Sequence, residues 1–130
     1  LINLMLHLHK SLNTTFLFVT HDLSVARHIA NRIAIMYLGK IVEIGPPNQV
    51  IKDPKHPYTN MLVSAVPIPD SNARKHRVQA IGEPPSATEI PPGCRFHPRC
   101  IRAKAMCKTK EPNIKQIAPN HSAACFYPLE

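Results

Sequence analysis

Apolar residues recur at intervals of three and four over Leu1, Leu4, Met5, Leu8 and Leu12, with Asn3, His7 and Lys10 between them, which predicts an amphipathic helix with one buried stripe. Asn13-Thr14 ends that period. Thr15-Phe16-Leu17-Phe18-Val19-Thr20 follows as an unbroken β-branched and aromatic run, the composition of a short strand buried in a parallel sheet. Asp22 or Ser24 is placed to cap a following helix in which Val25, Ala26 and Ile29 face inward and which Asn31 ends. Arg32 to Tyr37 and Lys40 to Ile44 flank Leu38-Gly39, where a glycine that tolerates positive φ lets the chain reverse, so this is a β-hairpin. Gly45-Pro46-Pro47 stops it. A short helix through Gln49, Val50 and Ile51 is expected next, and Asp53-Pro54 and His56-Pro57 set off another from Tyr58 to Val66.

From Pro67 the pattern changes. Ten of the 14 prolines fall there, while of the aromatic residues only Phe96, Phe126 and Tyr127 do, so little apolar surface remains to bury in that half. Pro67 to Asn72 reads as a linker, Arg77 to Ile81 as one strand, Glu83 to Gly93 as extended or turning chain, and Ile101 to Cys107 as about two helical turns. A segment with so thin a core needs a staple, because burial must offset about 1 to 2 kcal/mol of backbone entropy per ordered residue. The four cysteines, Cys94, Cys100, Cys107 and Cys125, all lie in this half and are the visible candidates.

The net charge of +8 is spread along the chain, with Arg74-Lys75-His76-Arg77 as its densest stretch. Scattered basic residues of this kind form a solvated face more often than a phosphate-binding one. No run approaches the ~20 apolar residues that span a bilayer, and the opening stretch has no basic region or small-residue cleavage site of an export signal. The chain begins with Leu and is expected to be a fragment.

His21 falls where the expected strand meets the next helix, the edge at which open α/β sheets present side chains to ligands. Imidazole accepts or donates a hydrogen bond near neutral pH, which suits a phosphate oxygen or an attacking water; the alternative is an exposed neighbour of a helix cap.

The run Val19-Thr20-His21-Asp22-Leu23-Ser24, continued by Ala30 to Met36 and Leu38 to Gly45, resembles the end of an ABC transporter ATP-binding subunit. His56-Pro57-Tyr58-Thr59, Ser64-Ala65-Val66-Pro67, Gly82-Glu83-Pro84-Pro85-Ser86 and Cys94-Arg95-Phe96-His97-Pro98-Arg99-Cys100 are similar to the oligopeptide/dipeptide (and nickel) branch of that family. The resemblance implies an α/β remnant of an ABC ATPase followed by a small irregular α+β cysteine-ligated extension. It divides the chain into a nucleotide-binding-domain piece over 1–45, a helical connector over 46–66 and the proline-rich extension over 67–130. His21 would be the switch-loop residue that contacts the γ-phosphate and helps position water in the intact protein. A second ATP-binding subunit and membrane permeases would be the partners, met at the cytoplasmic face of the membrane. No G-x-x-x-x-G-K-[ST] loop, magnesium-holding strand or Leu-Ser-Gly-Gly signature occurs, so ATP and Mg belong to the intact parent protein and this piece alone is expected to be inactive.

The cysteines are spaced C-x5-C-x6-C-x17-C. Disulfides fit the even count, but the missing export signal argues for reduced thiols. Zinc favours shorter knuckles, whose tight turns bring two sulfurs to one ion. A 4Fe-4S cluster is wider and accepts ligands farther apart along the chain. The pattern also resembles the cluster-binding C-terminal extension found in this transporter branch, which implies Cys94, Cys100, Cys107 and Cys125 as ligands, with zinc the alternative. His97 and His121 lie near enough in sequence to substitute or to hydrogen-bond, and Arg95, Arg99 and Arg102 to offset sulfur charge. A reading from another class is a basic metal-binding module on nucleic acid; the scarcity of aromatic stacking residues argues against it, and no nucleic-acid partner is expected.

Overall fold

The computed structural model describes residues 2–66, 78–86 and 88–130. The expected linker over 67–72 and the basic stretch over 74–77 lie outside the described residues.

The hairpin forms as β1 (Ile33–Tyr37) and β2 (Lys40–Gly45), joined through Leu38 and Gly39 at φ 45° and 79°. Positive φ at both turn residues is the geometry whose twist matches that of the flanking strands. Leucine pays a steric cost there that glycine does not, and the Arg95 guanidinium donates to the Leu38 carbonyl across the turn. Along β1, Ile33, Ile35 and Tyr37 are buried while Ala34 and Met36 are exposed, the period-two pattern of a strand with one face on the core. A bulge breaks the ladder after Ile35, which pairs with Glu43, whereas Met36 pairs with Ile41. Two residues of β2 thus oppose one of β1, and Val42 and Glu43 are both buried in succession.

The tail supplies two further strands, β3 (Lys115–Ala118) and β4 (His121–Ala123), where only loop was expected. β4 pairs antiparallel with β2, Glu43 opposite Ala123 and Ile44 opposite Ser122, to give one sheet in the order β1-β2-β4-β3. Proline-poor sequence from Asn113 to Ile117 and the reversal at Asn120, at φ 60°, permit this second hairpin. Residues on either side of 46–66 therefore share one sheet.

Helices α1 (Ile2–Leu12), α2 (Leu23–Ile29), α3 (Pro47–Lys52), α4 (Pro57–Ala65) and α5 (Ala105–Thr109) complete the regular structure with a 3-10 turn over His97–Arg99. Asp22 caps α2 as expected, its carboxylate accepting from the Ser24 and Val25 N–H groups. Proline in the first turn of α3 and α4 presets φ where no amide is needed. The core gathers Ile33, Ile35, Tyr37, Val42, Val50 and Phe96, with Leu23, Ala26, Tyr58, Met61 and Leu62 against it. Phe96 reaches it from the tail and packs with Tyr37 and Tyr58 at ring-centroid distances of 5.2 and 5.3 Å.

Four expectations fail. The run over 15–20 forms no strand and is exposed, because no described strand pairs with it. The α1 stripe has no fully buried residue among those described: Leu4 and Leu12 stand 56% and 68% exposed, and Met5 and Leu8 are half-buried. Residues 78–81 form no strand. The helix expected over 101–107 begins later, at Ala105, and is shorter.

Candidate functional site: a pocket walled by four cysteines

Cys94 follows Gly93, whose φ of 68° and close approach to α5 both require the missing side chain: a Cβ there would stand 2.5 Å from the Cys107 carbonyl oxygen. That approach lets the Cys94 N–H donate to the Cys107 carbonyl at 2.8 Å, holding two of the cysteines on adjacent backbones. The 3-10 turn then carries the chain to Cys100, and β4 delivers Cys125 just past Ala124, whose N–H donates to the Val42 carbonyl at 2.8 Å.

All four cysteines line one small pocket, walled also by His56, Pro57, Phe96, His97, Arg102, Phe126 and Tyr127. All four are free thiols, none disulfide-bonded. Burial pushes the Cys125 thiol up to about 11, opposed by the Tyr127 N–H on its sulfur and reinforced by the other three cysteines. Burial likewise raises Cys94, against N–H groups of Phe96 and His97 bonded to its sulfur, and raises Cys100, against the Arg102 N–H and the Arg102 charge. In three cases the N–H two residues onward is aimed at sulfur: Phe96 at Cys94, Arg102 at Cys100 and Tyr127 at Cys125. Such donors stabilise negative charge on sulfur, and at Cys94, Cys100 and Cys125 they act against the burial that favours the protonated thiol. Among the described residues, no group of three or more His, Cys, Asp or Glu side chains stands close enough to hold one metal ion.

The histidines part company. His97 lines the pocket, with Nδ1 2.9 Å from the Cys94 carbonyl oxygen. His121 does not line it; its Nε2 lies 2.6 Å from Glu43 Oε1, and both side chains are fully buried. Glu43 also accepts from the backbone N–H of Lys55 and His56, each at 2.8 Å, so one carboxylate joins β2, β4 and the entry to α4. Of the three arginines expected to offset sulfur charge, Arg102 does so, while Arg95 is spent on Leu38 and Arg99 faces Tyr58. His21 is exposed at the bend before α2 and is not part of the pocket wall.

His56 is the pocket residue that the sequence did not single out as chemistry. It precedes Pro57, which marks a helix start, and it does cap α4, its Nδ1 accepting from the Tyr58 N–H at 3.1 Å. Its second role as pocket wall depends on the tail folding back over α4, where the Leu129 N–H donates to the Lys55 carbonyl at 2.9 Å.

A small antiparallel sheet with four free thiols around a buried-walled pocket defines a cysteine-rich α/β module. The sequence pattern of the family described as "Oligopeptide/dipeptide transporter, C-terminal region" matches residues 42–107, and the chain belongs to that family. It is 44% identical over 126 residues to the oligopeptide transport ATP-binding protein AppF of Bacillus subtilis, covering 95% of this chain and 38% of that protein. It is 40% identical to the dipeptide transport ATP-binding protein DppF of Haemophilus influenzae, over 97% of this chain and 38% of that protein. Against DppF of Escherichia coli the figures are 41%, 96% and 37%. The chain thus spans under two-fifths of the length of these relatives.

Proposed function

We propose that the chain is the C-terminal part of the ATP-binding subunit of an importer for oligopeptides or dipeptides, with a four-cysteine pocket that holds a 4Fe-4S cluster. The family match and the ATP-binding relatives support the first half. The observation that carries the second is the pocket itself: Cys94, Cys100, Cys107 and Cys125 line one cavity as free thiols with amide N–H groups on three of their sulfurs. The C-x5-C-x6-C-x17-C spacing suits a 4Fe-4S cluster better than zinc, whose knuckles are shorter. When bound, the cluster supplies a rigid crosslink between the loop after Gly93, α5 and the segment after β4. The chain's own contribution is to exclude water with Phe96, Phe126 and Tyr127 and to direct N–H groups at the thiolates.

In the intact subunit His21 would contact the γ-phosphate and orient water, a role that its exposure ahead of the capped α2 leaves open to a nucleotide. A second ATP-binding subunit and membrane permeases would be the partners, on the cytoplasmic side of the membrane. No helix among the described residues is long and apolar enough to cross it.

Anaerobic purification tests the cluster directly. Iron and acid-labile sulfide near four of each per chain, with the broad visible absorption of sulfur-ligated iron, are expected, and C100S should lose most of both. A colourless protein with one zinc per chain would replace the cluster with zinc, and a folded protein that takes up neither metal would refute a metal centre. For the first half, H21A in the full-length subunit should abolish peptide-stimulated ATP hydrolysis while nucleotide binding survives.

A further inference from the structure

Four free thiols on one pocket can close on one another in several pairings, and the backbone singles out one. Cys94 donates its N–H to the Cys107 carbonyl at 2.8 Å, and among the described residues no other backbone hydrogen bond joins two cysteines. With standard bond lengths that link holds the two Cα atoms within about 6.7 Å of each other, inside the span of roughly 4.4 to 6.8 Å over which a disulfide closes. The approach is built into the backbone. Gly93 stands so near α5 that a Cβ would meet the Cys107 carbonyl oxygen at 2.5 Å and the Lys108 carbonyl carbon at 2.8 Å. Both cysteines line the same pocket, and the Cys94 thiol, raised by burial, is raised further by Cys107 ahead of Cys100, so the two sulfurs share a common space. Cys100, at the end of the 3-10 turn, and Cys125, after β4, reach the pocket on other stretches of backbone. The two partners differ in access: Cys107 is buried and Cys94 half-buried.

We propose that Cys94 and Cys107 are a thiol–disulfide pair in the metal-free chain, Cys94 the sulfur that meets a small disulfide oxidant such as glutathione disulfide and Cys107 the sulfur that resolves it. The Cys94 thiolate attacks one sulfur of the oxidant and breaks its S–S bond. A Cys94–glutathione bond forms, and one glutathione leaves as thiolate and takes up the proton that Cys94 lost. The Cys107 thiolate then attacks the Cys94 sulfur and displaces the second glutathione, which takes up the Cys107 proton. Two cysteine thiols are thereby oxidised by two electrons to one disulfide, and one oxidant is reduced to two thiols. The order of attack follows from burial, since the half-buried Cys94 is open to a small oxidant and the buried Cys107 is not. Closure spends two of the four pocket thiols, so it locks the pocket against any group that needs all four. The pairing needs no bound metal and stands whether or not the pocket takes a cluster.

The metal-free chain is incubated with glutathione disulfide without air, its remaining thiols are alkylated, and it is digested with trypsin. Cleavage after Arg95, Arg99, Lys104 and Lys115 puts each cysteine on its own peptide, so mass spectrometry reads the pairing directly. Expected is the Cys94–Cys107 linked pair at about tenfold or more over any other linked pair, preceded by a glutathione adduct on Cys94. In C107S that adduct should accumulate with no bond between two cysteines replacing it, whereas C125S should close the pair as the wild type does. Linkage of Cys94 to Cys100 or Cys125 in comparable amount overturns the proposal. So does a first adduct on Cys107, or four alkylated thiols after a time in which the urea-denatured chain has oxidised. Should a variant not fold, the wild-type linkage map decides alone. Every readout is taken without iron, so a negative result leaves the cluster to its own test, and a missing cluster leaves this pairing to its own.

Discussion

At Gly93 the φ of 68° and a projected Cβ contact of 2.5 Å with the Cys107 carbonyl oxygen act on one residue. Glycine avoids both the left-handed penalty and the clash, so G93A should cost well over the ~1 kcal/mol of a strain-free glycine replacement. A melting curve of the chain measures the loss, which comes from separating the backbones of Cys94 and Cys107. His56 gives a pH dependence with a definite sign. Its folded pKa of about 4 lies below the ordinary 6.5, so between these values the unfolded chain binds more protons and stability rises with pH. The contribution is complete above about pH 6.5 and is lost as pH falls toward 4, about 3 kcal/mol in all for so buried a ring. Urea midpoints of the metal-free chain at pH 7 and pH 5 should differ accordingly, and the difference should shrink in H56N.

Among the elements, β2 is the one on which the others depend. Its bulge buries Val42 and Glu43 together, and Glu43 then accepts from two backbone amides at the entry to α4 and meets His121 on β4. E43A would leave those amides and His121 buried without partners, a loss of about 3 to 5 kcal/mol, and protection of both α4 and β4 against hydrogen exchange should fall together. E43Q keeps acceptor capacity on one oxygen only and should fall between. The hairpin, α2, α3 and α4 were legible because each carries its own local signal: the Leu38-Gly39 turn, the Asp22 cap and the prolines opening two helices. β3 and β4 were not, since Lys115–Ala118 is exposed or half-buried and His121–Ala123 is three residues long, too little sequence for a period. The stretch over 15–20 failed in the opposite direction. It has the composition of a strand, but a strand exists only through its neighbour.

For the molecule as a whole, the described core draws on residues from Leu23 to Cys100 and leaves the first segment outside it. No residue of α1 is buried, and Leu17 and Val19 are 96% and 90% exposed. A chain lacking residues 2–19 should therefore melt within a few degrees of the parent, a difference that a thermal melt of both proteins measures. A large drop in melting temperature would mean that this segment packs on the core after all. The tail, by contrast, does not stand apart: Phe96 packs against both Tyr37 and Tyr58, which also touch each other, and β4 extends the hairpin's sheet. The sparse apolar content beyond Pro67 suggested a segment organised by its cysteines alone, whereas Phe96 and β4 also tie it to the core and sheet of the first half.

The order of residues alone determined the hairpin, the capped helices, the family resemblance and the identity of the four thiols, because turn chemistry, caps and cysteine spacing act over a few neighbouring positions. That Cys125 lines the same pocket as Cys94, that His56 shares it and that His121 turns away to Glu43 are matters of long-range packing. These depend on a sheet joining residues some 80 positions apart, as Glu43 is joined to Ala123, and on a bulge that sets which face each side chain occupies.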